Sequence, residues 1–166
     1  NDRVVWATSM VACGDADGAV TGNTRRFGAS LEKIKQVVNV RKGEILFGLN
    51  MIVHKGKTIF IGDTSVHEYP TSEQMADMAI STARVVRLFG FDPKVAFVSH
   101  STFGQPLTSR TKHIKKAVDI LKDRNVNFEF DGDMQPDVAL NSEYEELYPF
   151  AKIVGKANIL IMPGQH

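Results

Sequence analysis

From Pro70 onward, long helical patterns alternate with short apolar β-type runs, and that alternation restricts the chain to layered α/β folds. Pro70-Thr71-Ser72-Glu73 opens the strongest helix. Thr71 is a natural N-cap, and Met75, Met78, Ala79, Thr82, Val86 and Phe89 fall along one face before Gly90 stops it. "KVAFVS" then reads as a buried strand. Ser109 to Arg124 follows as an amphipathic helix, with Ile114, Ala117, Val118 and Leu121 inward and lysines outward. "NFEF" and "NILIM" read as further strands. Before Pro70, "EILFGLNMIV" and "KTIFIGD" flank His54-Lys55-Gly56, a hairpin signal near residues 45 to 62. The fold class expected is therefore α/β: a largely parallel sheet flanked by helices, plus one antiparallel hairpin.

The amino-terminal part is less periodic. Val4 to Cys13 reads as a mostly apolar helix closed by Gly14, and Ser30 to Val38 carries Leu31, Ile34, Val37 and Val38 at helical spacing. Between them "DADGAVTGN" resembles a short buried strand flanked by turn residues. Residues 1–166 are expected to form a single lobe. The chain opens without Met and stops just after an apolar strand-like run, so we expect a piece of a longer protein.

Near-neutral charge (+1 over 166 residues) argues against a nucleic-acid or membrane-surface partner, which usually want a basic excess. The single cysteine, Cys13, has no internal disulfide partner, which favours a reducing cytoplasm. No apolar run approaches the ~20 residues of a membrane span.

Several chemical motifs fail on spacing. No G-x-G-x-x-G sits between strand and helix. Gly56-Lys57-Thr58 would close a phosphate loop only with Gly at position 51, which is Met51, and it joins two strands rather than opening a helix. His67-Glu68 starts like a zinc-protease helix, but the second His falls on Thr71 and Pro70 breaks the helix. No metal site is expected.

"SHSTFGQ", Ser99 to Gln105, has better grounds. It follows a buried strand and precedes a helix, the place where α/β sheets present loops to ligands. Ser101, Thr102 and the Gly104 backbone are candidate donors to an anion there. His100 beside two serines invites a triad, but neighbours at a strand end point in different directions. The lysines at 112, 115, 116 and 122 read mainly as a solvated helix face. Arg25-Arg26 beside Gly22 suits phosphate or carboxylate recognition.

The acidic stretch "NFEFDGDMQPDVALN" has structural explanations available. Phe128 and Phe130 are expected inward with Glu129 outward, and Asp131-Gly132 as the turn at the strand's end. Asp133 is expected as the N-cap of a short helix, with Pro136 and Asp137 in its first turn. Asp131 remains the one acid here expected to touch a ligand.

Five stretches in order carry a resemblance over essentially the whole chain: "GDADGAVTGNTR", "FIGDTSVHEYPTSEQMADMA", "FGFDPKVAFVSHSTFG", "FEFDGDMQPDVALN" and "GKANILIMP". Together they resemble the phosphate acetyl/butyryltransferase family. "RRFGASLEKIKQVV", "VHEYPTSEQMADMA" and "FEFDGDMQPDVALNSEYEELYPF" are most similar to the carboxy-terminal phosphotransacetylase-like domain of bacterial hybrid NADP-dependent malic enzymes. The resemblance implies one lobe of a two-lobed fold, with a cleft whose other wall belongs to the rest of the chain. The matching cleft-facing positions are Asp17, Gly18 and Gly22 with neighbouring Arg25; Ser101, Thr102 and Gly104; Asp131 and Gly132; and Lys156 with Asn158.

The resemblance further implies acetyl-CoA or CoA as the ligand, acting as a regulator, with NADP and Mg or Mn in another domain of the parent. It also implies a homo-oligomer, dimer or higher. In active members, a Ser-Arg pair, an Asp and further arginines carry the acyl-phosphate chemistry, and these are expected outside this chain, leaving it no catalytic residue of its own. Where active members commonly have Lys-Gly-Ser after the Ser-Thr, this chain has Phe103-Gly104-Gln105. That departure favours ligand sensing in a malic enzyme. The alternatives are part of an active phosphate acetyltransferase, and an oligomerisation lobe alone.

Overall fold

Two runs are buried at every apolar position because each becomes an interior strand with neighbours on both sides. They are β3 (Lys94–Val98), of which only Lys94 is partly exposed, and β5 (Ile159–Ile161). The computed structural model describes residues 2–164. It divides into two compact units, Asn1–Gly43 and Glu44–His166.

The second unit holds one five-stranded sheet. Its strands, in spatial order, are β1 (Leu49–His54), β2 (Lys57–Gly62), β5, β3 and β4 (Glu129–Met134). β1 and β2 form the antiparallel hairpin, paired from Leu49↔Gly62 to His54↔Lys57, and the other pairings are parallel. The expected largely parallel sheet with one hairpin is what forms. Strand alternation then sorts the core into two layers. Val95, Phe97, Ile159 and Ile161 face α3 (Ser72–Leu88) and α4 (Ser109–Asp123). Ala96, Val98 and Leu160 face the other way, onto the short α5 (Pro136–Leu140), a 3-10 turn over Ser142–Leu147 and Ile153.

α3 begins where local chemistry says it should. The Thr71 side chain accepts from the Gln74 N–H, and the Gln74 side chain accepts from the Thr71 N–H, a reciprocal capping box. Met75 and Met78 are fully buried in its core face. Each such side chain contributes roughly 1.5–3 kcal/mol on burial. α4 repeats the device with Thr108 and Thr111. The Ser72 hydroxyl donates to the His113 carbonyl, fastening the start of α3 to α4.

In the first unit, α1 (Arg3–Cys13) is closed by Gly14, whose φ of 82° requires a residue without Cβ constraints. α2 spans Phe27–Lys35, and Val37 and Val38 continue it only as turn hydrogen bonds to Ile34. It therefore stops about three residues before the end of its apolar spacing, and it starts at Phe27 rather than at the expected Asn23 or Thr24.

Three expectations about strands are corrected. "DADGAVTGN" forms no strand; Val20 is fully exposed, and the described residues of the first unit contain no strand for it to bond to. The hairpin's first arm forms ladder bonds only from Leu49. Before it, Ile45 and Phe47 pack on the core without pairing. The third correction concerns β4. It runs to Met134, so Asp131-Gly132 lies inside a strand rather than at a turn, and the N-cap of α5 is Gln135, not Asp133. Pairing with β3, a partner far away in sequence, extends the strand past its apolar part. Glu129 does point outward, and Phe128 and Phe130 pack on the core as expected.

Candidate functional site

Because β2, β5, β3 and β4 are parallel, their carboxyl ends open onto one edge of the sheet. Two buried carboxylates organise that edge. Asp133, 4 % exposed at the end of β4, accepts the Ser101 hydroxyl at 2.5 Å and the Gly104 N–H at 3.1 Å. Its carbonyl accepts the Phe103 N–H at 2.6 Å. The Thr102 hydroxyl accepts the Gln135 N–H, and the Gln135 amide donates to the His100 carbonyl. The Ser99–Gln105 loop is thus stitched to the end of β4 along its length. Ser101 and Thr102 are themselves buried, with their hydroxyls turned into this network.

Asp63, 1 % exposed at the end of β2, is held more completely. One carboxylate oxygen accepts the N–H groups of Gly48, Ser65 and Val66; the other accepts the His67 N–H and faces the His67 ring nitrogen Nδ1 at 2.9 Å. Burial pushes this carboxyl up. The Ser65 N–H, the His67 ring and the N–H groups of Gly48 and Val66 together outweigh burial and hold it below the ordinary carboxylate range. Gly48 is obligatory here, since a Cβ would sit 2.9 Å from Asp63 Oδ1 and 2.4 Å from Ser65 Oγ.

Beside the Asp133 loop lies a groove of about 420 Å³, bounded by α4 on one side and β4 on the other. Phe103, Gly104 and Leu107 form its upper lip, Asp131 and Gly132 its strand wall, and Lys115 and Lys122 stand on the helical wall. Phe103 is in the left-handed region, φ 49°, which is costly for a bulky side chain. Its ring contacts those of Tyr148 and Phe150, at centroid distances of 5.5 and 4.9 Å.

The residues singled out from sequence divide between the two units. Asp17, Gly18 and Gly22 lie on an exposed loop of the first unit, and Arg25 donates to Asp2 at 2.8 Å there. In the second unit, Gly104, Asp131 and Gly132 come together around the groove. Asp131 accepts the N–H groups of Gly132 and Lys152. Lys156 pairs with Glu145 at 3.2 Å. The Asn158 side chain is consumed structurally: it accepts the Lys94 N–H and donates to the Asp92 carbonyl, tying β5 to the start of β3.

Residues that sequence reasoning missed are those defined by long-range contacts. Asp133 looks like a helix cap because Pro136 follows, and nothing local reveals Ser101 as its partner. The Phe103 cluster depends on Tyr148 and Phe150; their only trace is the aromatic pair in "YPF". Among the described residues, no group of three or more His, Cys, Asp or Glu side chains comes together as a metal site. Nor is any helix there long and apolar enough to cross a membrane.

The chain is 44% identical over 99% of its length to the NADP-dependent malic enzyme of Rhizobium meliloti. It is 30% identical over 98% to a phosphate acetyltransferase of Nitratidesulfovibrio vulgaris. It spans only 22% and 23% of those proteins' own lengths. The EutD phosphotransacetylase from Staphylococcus aureus superposes with a TM-score of 0.83 at 26% identity, over 98% of this chain and 51% of that one. A phosphotransacetylase from Streptococcus pyogenes shares the fold at a TM-score of 0.86 and 24% identity, over 97% of this chain and 50% of that one. The sequence profile described as phosphate acetyl/butaryl transferase matches residues 1–165, so the chain belongs to that family.

Proposed function

We propose that this chain is the acetyl-CoA-binding, regulatory and non-catalytic phosphotransacetylase-like part of an NADP-dependent malic enzyme, whose other domains oxidatively decarboxylate malate to pyruvate with NADP and Mg or Mn. The observation that carries the reading is Phe103. Active relatives commonly place a lysine at this position of the strand-end loop. Here an aromatic ring packs on Tyr148 and Phe150 instead, so the loop offers no cation to an acyl phosphate. The 44% identity to a malic enzyme supports the same parent.

Regulation of this kind is linkage. Acetyl-CoA binds one arrangement of the assembly better and shifts the dehydrogenase by that differential affinity, typically ~1–3 kcal/mol. The assembly is a cytoplasmic homo-oligomer in this reading. Support comes from the edge strand β1, where Met51, Ile52 and Val53 stand exposed without a charged residue between them. Met75 and Met78 take no part in such an interface, being core residues.

The rival reading is acetyl transfer between CoA and phosphate, which the resemblance to phosphate acetyltransferases favours. Phosphate- or arsenate-dependent release of CoA from acetyl-CoA by the full-length protein separates the two. The regulatory reading expects none above background. Turnover at an ordinary enzyme rate, about 1–1,000 per second, refutes it.

A further inference from the structure

Asp63 holds more donors than its turn needs. An ionised carboxylate offers about four lone-pair sites. The N–H groups of Gly48, Ser65, Val66 and His67 already supply a donor for each. The His67 ring is a further donor, at 2.9 Å, so the contact orients the ring rather than completing the turn. Asp63 is ionised at neutral pH and has no proton to give. Nδ1 is therefore the donor, and in the neutral ring the lone pair sits on Nε2. Nε2 has no hydrogen-bond partner among the described residues and is not sealed in, the side chain being 19% exposed. The loop follows β2, at the carboxyl edge where α/β sheets meet their ligands. The other described histidines differ. His113 has both ring nitrogens engaged, by the Ser72 hydroxyl and the Pro70 carbonyl. No described carboxylate pairs with His54 or His100.

We propose that His67 is a nucleophile that accepts an acyl group at Nε2 from an activated acyl donor, a thioester or acyl phosphate, with Asp63 as its positioning residue. Nε2 attacks the acyl carbonyl carbon. The N–C bond forms, the bond to sulfur or phosphate oxygen breaks, and the leaving group takes the electron pair. The acylated ring carries a positive charge, and the fixed negative charge of Asp63, one hydrogen bond away, stabilises it. Water then attacks the same carbonyl and restores the neutral ring, releasing a carboxylate and two protons, one of which the leaving group takes up. The cycle uses water as its co-reactant and no inorganic phosphate. It stands independently of the acetyl-CoA reading, which concerns a bound regulator.

The test uses the full-length protein. Diethyl pyrocarbonate leaves an acyl adduct on histidine that peptide mass mapping locates. His67 is expected to be labelled at least about tenfold faster than His54 and His100. Labelling no faster than theirs overturns the proposal, and this comparison needs no variant. Turnover of p-nitrophenyl acetate reports the whole cycle by release of p-nitrophenolate. His67→Asn places an amide N–H where Nδ1–H stands, so its melting temperature is expected to stay close to that of the unsubstituted protein. Its p-nitrophenolate release is expected to fall about tenfold; unchanged release in a folded variant overturns the proposal. Acetyl-CoA and acetyl phosphate, each supplied alone in phosphate-free buffer, distinguish the donors. Hydrolysis of either one, lost in His67→Asn, supports the site and names its donor. Hydrolysis of neither overturns it and leaves acetyl-CoA regulation of malate oxidation to its own measurement.

Discussion

The Ser101 hydroxyl donates a 2.5 Å hydrogen bond to the buried carboxylate of Asp133, joining the loop after β3 to the end of β4. Ser101→Ala leaves a buried carboxylate short of one donor, a loss of roughly 1.5–3 kcal/mol. Chemical denaturation is expected to show that loss. Amide exchange at Phe103 and Gly104 is expected to speed up beyond the global change, since both N–H groups hang on Asp133.

Asp63 predicts an acid-sensitive fold. Its carboxyl is held below the ordinary value near 3.8, so the folded state binds its proton less readily than the unfolded chain. That contribution is fully present above about pH 4 and drains away as pH falls below it through the folded-state value. Asp63→Asn is expected to cost roughly 2–4 kcal/mol at neutral pH, because an amide NH₂ would face backbone donors. It is also expected to flatten the fall of melting temperature below about pH 4; an unchanged acid slope would contradict this.

Two of the glycines singled out from sequence differ sharply. Gly132 has φ +143°, and a Cβ there would lie 2.8 Å from the Phe97 carbonyl oxygen and 2.9 Å from its Cβ. Gly132→Ala is expected to destabilise by roughly 2–4 kcal/mol. A Cβ at Gly18 meets nothing within 4 Å, so Gly18→Ala is expected to stay within about 0.5 kcal/mol. Thermal melts of the pair decide both, and any ligand effect of Gly18→Ala is then free of folding artefacts.

Asn158 joins β5 to the 92–94 turn through both atoms of its amide. Asn158→Ala is expected to cost about 1–3 kcal/mol in denaturation. Acetyl-CoA affinity at a temperature where the variant stays folded is expected to be unchanged. A large affinity loss without a stability loss would make Asn158 a ligand contact instead.

What could be read from sequence was what neighbouring residues decide among themselves. The Thr71 cap, the inward stripe of α4, the Gly14 stop and the hairpin at Lys55-Gly56 all rest on contacts a few residues apart. The loop at Ser99–Gln105 was legible as a strand-end loop for the same reason. What it does there was not. Ser101 and Asp133 are 32 positions apart, and an aspartate three residues before Pro136 looks the same locally whether it caps a helix or closes a strand. "DADGAVTGN" failed in the opposite sense, because an apolar Ala-Val pair between glycines becomes a strand only when another strand lies beside it.

In the proposed function, acetyl-CoA regulates the parent through this part. Malate-dependent NADP reduction by the full-length protein, measured as acetyl-CoA is raised to saturation, tests it most directly. The expected result is a change of about 5- to 150-fold in apparent malate affinity, the range set by coupling of ~1–3 kcal/mol. Malate kinetics that are identical with and without saturating acetyl-CoA would contradict it.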